Sequence, residues 1–371
     1  MSAPVPPARW PFHDLHAGFL AQREELLSAM AHVFASGQYI LGSEVAAFER
    51  EFASFLGLPH VVGVANATDA LELALRALDV GPGDEVIVPA LTAVPTAMAV
   101  LAVGAVPVLA DVDPAYFVLD PGSLRACVSP RTKAIVPVHL YGQCADMDAM
   151  LAVAETVGAS VIEDCAQAHG ARCRGRIAGS MGRVGAFSFY PTKNLGAFGD
   201  GGALATADHA LAERLARLRF YGGVPGYDFV EPGRNSRLDE LQAALLRVRL
   251  AALSAGNERR KLHARRYREG LTHPDVQLPA ERGEHVWHQF VVRCRRRDAL
   301  RAHLAAAGLP TLVHYPRALS QMKAVAERAR VPAPPREAER AAAEVLSLPI
   351  YPEMPEAQQA AVIEAVNGWR G

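Results

Sequence analysis

From Val61 to Thr206 the chain repeats one pattern: a short apolar run, a break at Gly, Pro or Asp, then an amphipathic stretch of helix length. Short runs that are apolar throughout suit strands buried on both faces, as crossover helices bury a parallel sheet. The runs fall at residues 60–64, 85–89, 106–110, 134–138, 160–163, 185–190 and 203–206, and the helical patterns between the earlier ones at 68–78, 95–103, 121–127 and 147–157. Such alternation predicts an α/β fold, a mostly parallel mixed sheet flanked by helices. Two helices, 19–35 and 44–56, are expected before the first strand, and long helices at 207–220, 238–253 and 257–270 after the last. The final hundred residues read as a smaller α+β unit, with strands at 287–294 and 311–314 and helices at 297–307, 336–346 and 355–369. Two domains are expected, 1–250 with the N-terminal helices and the large sheet, and 251–371 as a small C-terminal unit.

Composition narrows the function. Of 371 residues half are hydrophobic and a fifth charged, which suits a globular core. Net charge is −1, so no overall field favours nucleic acid or an anionic membrane. The five cysteines are odd in number and widely spread, which fits a reducing cytoplasm better than a disulfide framework. Residues 1–11 carry three prolines before Pro11 and no continuous apolar stretch, so a signal peptide is not expected. The uncharged stretch 86–110 is long enough to span a bilayer, but Pro89, Pro95, Gly104 and Pro107 divide it into strand, helix and strand.

Four runs carry chemistry. Glu163-Asp164-Cys165-Ala166-Gln167-Ala168-His169-Gly170 follows an apolar strand, where α/β sheets open their ligand crevice; a capping role for Asp164 is the plainer alternative. Lys193, one of only four lysines, stands among aromatics, a proline and glycines in 188–202, with no acidic neighbour until Asp200. Burial there would lower its pKa, as a nucleophilic lysine requires, unless the stem merely lies on apolar surface with its head in water. Asn66-Ala67-Thr68-Asp69-Ala70 sits at a helix start, where free N–H groups and a hydroxyl can cradle phosphate. Asn235–Gln242 reads as a further cap. Together they supply what pyridoxal 5′-phosphate needs: amides and hydroxyls for phosphate, a lysine for the aldehyde, and a carboxylate for the ring nitrogen. Cys165, His169 and Cys173 are spaced like metal ligands but lack a fourth donor nearby, so no metal is expected. No dinucleotide fingerprint, nucleophile elbow, zinc-protease helix or Walker loop occurs.

With those runs in place, the sequence resembles the DegT/DnrJ/StrS sugar aminotransferases, which have the type I fold of pyridoxal phosphate enzymes. The likeness runs from about Pro11 to the C-terminus and includes Tyr39-Ile40-Leu41-Gly42, Asn66–Leu71, Gly81–Val86, His139–Gln143, Glu163–Gly170, Ser188–Gly202, Asn235–Ala243, His314-Tyr315-Pro316 and Leu346–Pro349. The resemblance implies that Lys193 binds the cofactor covalently, Asp164 pairs with its ring nitrogen, and Gln167 bonds its 3-hydroxyl. Ser188 and the backbone of Ala67 and Thr68 would take the phosphate. Asn235 would reach the phosphate of a neighbouring subunit in a homodimer. Tyr39, Tyr190 and His314 match positions near the sugar. The implied reaction moves an amino group from L-glutamate to C3 of a dTDP-linked keto-6-deoxyhexose, giving an amino sugar for polysaccharide or natural-product biosynthesis. C4 amination, a UDP sugar and a cyclitol ketone stay open. A dehydratase of this fold has histidine in place of Lys193, and a non-catalytic regulator tends to lose that lysine or add a DNA-binding segment. Ala93 departs from the family, where an aromatic commonly stacks on the cofactor ring, and Cys165 replaces a frequent alanine.

Overall fold

The computed structural model describes residues 10–371. The segment read as lacking a signal peptide lies, through residue 9, outside the described residues. Three helices come first: α1 (Leu15–Leu20), α2 (Arg23–Ser36) and α3 (Ser43–Leu56). The helix expected over 19–35 is therefore two, divided at Ala21-Gln22.

The sheet then builds through β1 (His60–Val64), α4 (Ala67–Ala77), β2 (Glu85–Pro89), α5 (Pro95–Ala102), β3 (Val106–Ala110), α6 (Pro121–Cys127), β4 (Thr132–Ile135), α7 (Met147–Val157) and β5 (Ser160–Asp164). A small hairpin, β6 (Arg172–Cys173) and β7 (Arg176–Ile177), precedes β8 (Val184–Ser188) and β9 (Gly202–Thr206). The seven-stranded order is β1-β9-β8-β5-β4-β2-β3, and only β9 runs against the others. Local chemistry sets many boundaries. The side chains of Asn66, Asp120, Asp146 and Asp208 each accept from a first-turn amide of the helix that follows, and Pro95 and Pro121 begin theirs. The uncharged stretch 86–110 folds as β2, α5 and β3, and among the described residues no helix is long and apolar enough to cross a membrane.

After α8 (His209–Leu218) a second hairpin, β10 (Gly223–Val224) and β11 (Asp228–Phe229), leads to α9 (Glu240–Gly270). The two helices expected over 238–253 and 257–270 are this one, so residue 250 lies inside a continuous helix. Gly256 costs a helix interior only ~1 kcal/mol. Asn257 is not free to cap a break, because its side chain bonds the His169 carbonyl and Asn194. The last part comprises β12 (Phe290–Arg293), α10 (Arg297–Ala306), α11 (Lys323–Ala326), α12 (Arg336–Glu344), β13 (Val345–Leu348) and α13 (Glu356–Asn367). Here the helix expected to 346 stops at Glu344, because Val345–Leu348 pairs antiparallel with β12. The strand expected at 311–314 reduces to a single bridge between Leu312 and Ser347.

One core fills the sheet and α4–α7, a second lies between α3, β8, β9 and the first half of α9, and a third packs residues from Ala264 to Trp369. In the second, Phe52 is fully buried, with ring centroids 5.0 Å from Phe187 and 5.6 Å from both Phe48 and Phe189. Phe52→Ala should cost about 3–5 kcal/mol in urea unfolding, because the rings around it leave a hole they cannot close. Lys323→Ala, at a side chain 87% exposed, should stay within about 0.5 kcal/mol.

Candidate active site

The carboxyl ends of β5 and β8 and the start of α4 enclose a cavity of about 240 Å³. Seven of the residues singled out in the sequence line it: Ala67, Thr68, Asp164, Gln167, Ser188, Tyr190 and Lys193. At one end lies the first turn of α4, whose leading N–H groups have no carbonyl to meet within the helix. Asn66 takes only the Asp69 amide, 2.9 Å away. Gly202 of β9 passes so close that a Cβ there would lie 2.5 Å from the Asn66 carbonyl carbon, so only glycine permits this approach. Ser188 ends β8 beside it.

In the middle sits Asp164. Its carboxylate accepts from the Thr96 hydroxyl at 2.9 Å and the Ala166 amide at 3.1 Å, and Thr96 is in turn 3.2 Å from Thr92. Burial pushes the Asp164 pKa up, and the Ala166 amide, Thr96 and the Lys193 charge offset this only in part. Lys193 is half-buried, and burial lowers its pKa to about 8, against the pull of Asp164. Gln167 is held at both ends. Its Oε1 accepts from the Tyr141 amide at 2.7 Å, and its Nε2 donates to the Tyr315 hydroxyl at 3.0 Å. Tyr141 turns through a φ of 61° to make that contact, and its own hydroxyl donates to the His314 carbonyl. Ala93 stands on the cavity wall with Thr92, Thr96 and Pro95.

Three expected residues lie off this cavity. Tyr39 and Asn235 are exposed, and His314 is half-buried with Nδ1 2.8 Å from Ser347 Oγ. Thr92, Thr96 and Tyr315 were missed. Tyr315 stands in a quoted motif, but Thr96 follows Pro95 as any first-turn threonine does, and only folding aims it at Asp164.

The spacing of Cys165, His169 and Cys173 does not gather a metal set. The His169 ring lies between Phe187 and Phe189, with centroids 5.7 and 5.9 Å away. The one tight group of metal-type donors among the described residues is His139, Glu163 and Cys165. Their atoms are already committed. Glu163 accepts from His139 Nε2 at 2.9 Å and from the amides of Gly179, Met181 and Gly182 at 2.9, 2.7 and 2.6 Å, while His139 Nδ1 accepts from the Ala145 amide at 3.1 Å. Cys165 is a buried thiol whose pKa burial raises well above its ordinary value.

Comparison with known proteins gives the family. Residues 21–367 match the DegT/DnrJ/EryC1/StrS aminotransferase family. The dTDP-3-amino-3,4,6-trideoxy-α-D-glucose transaminase of Streptomyces venezuelae is 49% identical over the whole of this chain and 98% of its own. The UDP-N-acetyl-3-dehydro-α-D-glucosamine 3-aminotransferase of Acidithiobacillus ferrooxidans is 46% identical over 96% of this chain and 97% of its own. A crystal structure of S. venezuelae DesV in complex with a ketimine intermediate superposes with a TM-score of 0.95 at 49% identity, covering 98% of each chain. The chain is an aminotransferase of the pyridoxal phosphate class. It belongs to the DegT/DnrJ/EryC1/StrS family.

Glu163 supplies a stability test. Burial alone would raise its pKa, but His139 and the backbone amides hold it below the ordinary carboxylate value. Its contribution is therefore complete above the unfolded pKa of ~4.3 and lost as pH falls through the lower folded value. Urea midpoints of the wild type should drop across that window. Glu163→Gln turns an amide nitrogen toward backbone donors, so it should start about 1–3 kcal/mol less stable at pH 6 and lose less on acidification.

Proposed function

We propose that this aminotransferase moves an amino group from L-glutamate to a nucleotide-linked keto-6-deoxyhexose, with dTDP as the nucleotide and C3 as the reacting carbon, making an amino sugar. The cavity that joins Asp164, Lys193 and the start of α4 carries the proposal, supported by the S. venezuelae relative that acts at C3 of a dTDP sugar. The Acidithiobacillus relative keeps a UDP sugar as the second reading.

The residues fit pyridoxal phosphate. Asp164 is a buried carboxylate whose partners leave it short of positive charge, which a protonated ring nitrogen supplies. The α4 amides of Ala67 and Thr68, with Ser188, offer the phosphate its donors, and Gly202 keeps that end narrow. Gln167 Nε2 has a second hydrogen for the 3-hydroxyl, since one already goes to Tyr315. When bound, the cofactor supplies an electrophilic carbon and an electron-withdrawing ring. Asp164 keeps the ring nitrogen protonated. Lys193 Nζ, with a pKa near 8, is neutral often enough to act as nucleophile and then to carry a proton from the donor α-carbon and back to the sugar carbon. Tyr190 lines the cavity and is assigned to the sugar, and His314 and Tyr39, which lie off the cavity, are assigned to it by the resemblance alone.

A homodimer is part of the proposal. The β10–β11 hairpin exposes Tyr221, Phe229, Val230 and Tyr227, the last 88% exposed, and Asn235, bridged to Phe220 just before the hairpin, is exposed, as are Tyr39 and Ile40. A monomer has little reason to keep so much apolar area in water. Covering it with a second copy would bring Asn235 to the neighbour's phosphate. We place the enzyme in the cytoplasm, where its five free, buried cysteines stay reduced.

Three measurements test these proposals. Assayed with glutamate against dTDP-3-keto, dTDP-4-keto and UDP-3-keto sugars, the enzyme should show its highest kcat/KM on the first, and preference for a 4-keto sugar would reject the C3 assignment. In the same assay Lys193→Ala should lose on the order of 10³-fold or more in turnover, and borohydride should no longer fix cofactor to the chain. Sedimentation should give about twice the 39.7 kDa chain mass, falling toward one chain for Tyr227→Asp. A wild-type monomer with full activity would refute the shared site.

A further inference from the structure

The main chain of Asp164 is fixed from both sides. Its amide donates to the Pro137 carbonyl at 2.9 Å, its carbonyl accepts from the His139 amide at 3.0 Å, and on the other side it pairs with Ala186 of β8. Only the side-chain torsions stay free, and two donors settle them. The Ala166 amide on Oδ1, two residues along, is the local turn contact that an aspartate makes wherever a strand ends. The Thr96 hydroxyl on Oδ2 is different in kind, because it comes from α5, 68 residues away in sequence. A helical threonine ordinarily returns its hydroxyl to a carbonyl of the preceding turn, as Thr156 does to Val153 at 2.7 Å. Among the described residues the Thr96 hydroxyl meets only Asp164 and Thr92.

The hydrogens of this chain of contacts can be placed. An ionised carboxylate only accepts, so the single hydrogen of the Thr96 hydroxyl goes to Asp164. Thr92, 3.2 Å behind, must then donate its own hydrogen to Thr96 Oγ1. Both threonines are 1% exposed, so bulk water does not compete for either hydroxyl, and both line the cavity with Asp164. Hydrogen bonds in series polarise one another in a low-dielectric interior. This series ends on the carboxylate, where it opposes the burial that favours the neutral acid. With one bond on each oxygen the carboxylate is held in one orientation, and each oxygen keeps a lone pair for a group in the cavity.

We propose that Thr96, backed by Thr92, is the positioning residue that keeps the Asp164 carboxylate ionised and aimed at the ring nitrogen of the cofactor. This rests on the aminotransferase reading above, with pyridoxal phosphate held in this cavity. Without the Thr96 bond the buried carboxylate either turns about its remaining Ala166 contact or takes up a proton, and in both cases the ring nitrogen loses its counter-ion. The ring withdraws electrons best while that nitrogen is protonated. The loss therefore falls on turnover and on cofactor affinity, and not on the binding of either substrate. A threonine that only packed against the cofactor would be indifferent to whether the ring holds a nitrogen there.

The test titrates the full-length chain with pyridoxal phosphate and with its deaza analogue, which has C–H in place of the ring nitrogen, and follows binding by fluorescence. The wild type should hold pyridoxal phosphate at least about tenfold more tightly, because only that ring can pair with Asp164. Thr96→Val should cut the preference to roughly threefold or less by weakening pyridoxal phosphate alone, and Thr96→Ser, which keeps the hydroxyl, should restore it. Binding of the deaza analogue at wild-type strength also shows that Thr96→Val has folded. Thr92→Val, one bond farther back, should give an intermediate preference. Solid-state NMR of the labelled ring nitrogen should report it protonated in the wild type and in Thr96→Ser, and shifted toward the unprotonated form in Thr96→Val. With cofactor saturating, Thr96→Val should lower kcat about tenfold or more and leave KM for glutamate and for the sugar within about twofold. An unchanged preference in Thr96→Val, or an equal loss of both cofactors, would overturn the role of Thr96 and leave the pyridoxal phosphate reading standing. A wild type that does not distinguish the two cofactors would remove the pairing of Asp164 with the ring nitrogen, and this proposal with it.

Discussion

Setting the Asp164 carboxylate at the end of β5, away from water, carries a desolvation penalty that two hydrogen bonds and a nearby ammonium relieve only in part. The same low-dielectric surroundings act on Lys193 in the opposite sense. Burial thus pushes the two groups toward each other, the acid upward and the base downward, so that both are biased toward neutrality. On the proposed reading, Asp164 would take a protonated ring nitrogen as its partner. Lys193 would then no longer be needed as a counter-ion and would be released for chemistry. The order matters: a lysine that remained the partner of Asp164 would stay charged and could not attack a carbonyl.

Buried carboxylates elsewhere hold the frame by a different means, bonding backbone amides. Glu163, beside Asp164, ties the loop at Gly179, Met181 and Gly182 to the end of β5. Glu240, at the start of α9, accepts from the amides of Gly42, Glu44 and Val45, which fixes the entry to α3 and with it the segment that carries Tyr39. Anions satisfied by amides need no mobile cation, and they tie the ends of elements distant in sequence. The Asp164 site differs because its two partners, Thr96 and the Ala166 amide, offset its burial only in part.

Sequence patterns located most of the sheet. Strands β1, β2 and β3 match the apolar runs at 60–64, 85–89 and 106–110 because each is bounded by turn residues and buried on both faces. Lys193 and Asp164 were legible for a similar reason, as polar residues in surroundings that should not tolerate them. Features that depend on distant partners were not legible. Val345–Leu348 continues a helical pattern and becomes a strand only because β12 offers an edge. The break assumed before Asn257 disappears because its side chain is drawn to His169 and Asn194. Thr96 has no local pattern at all, and Tyr315 only its place in a quoted motif. Their contacts to Asp164 and Gln167 arise on folding, which no periodicity encodes.

An exchange through one cavity poses a sorting problem. The donor is a small dianion and the acceptor a bulky neutral ring on a phosphate tether, yet both must present their reacting carbon to the same amine. A fixed arginine in the cavity would hold the donor firmly but would remain charged, and costly to bury, when the sugar enters. Among the described residues that line the cavity there is no arginine, and Lys193 is the only basic side chain. Burial lowers the Lys193 pKa, so the group that both substrates meet is itself biased away from a standing charge.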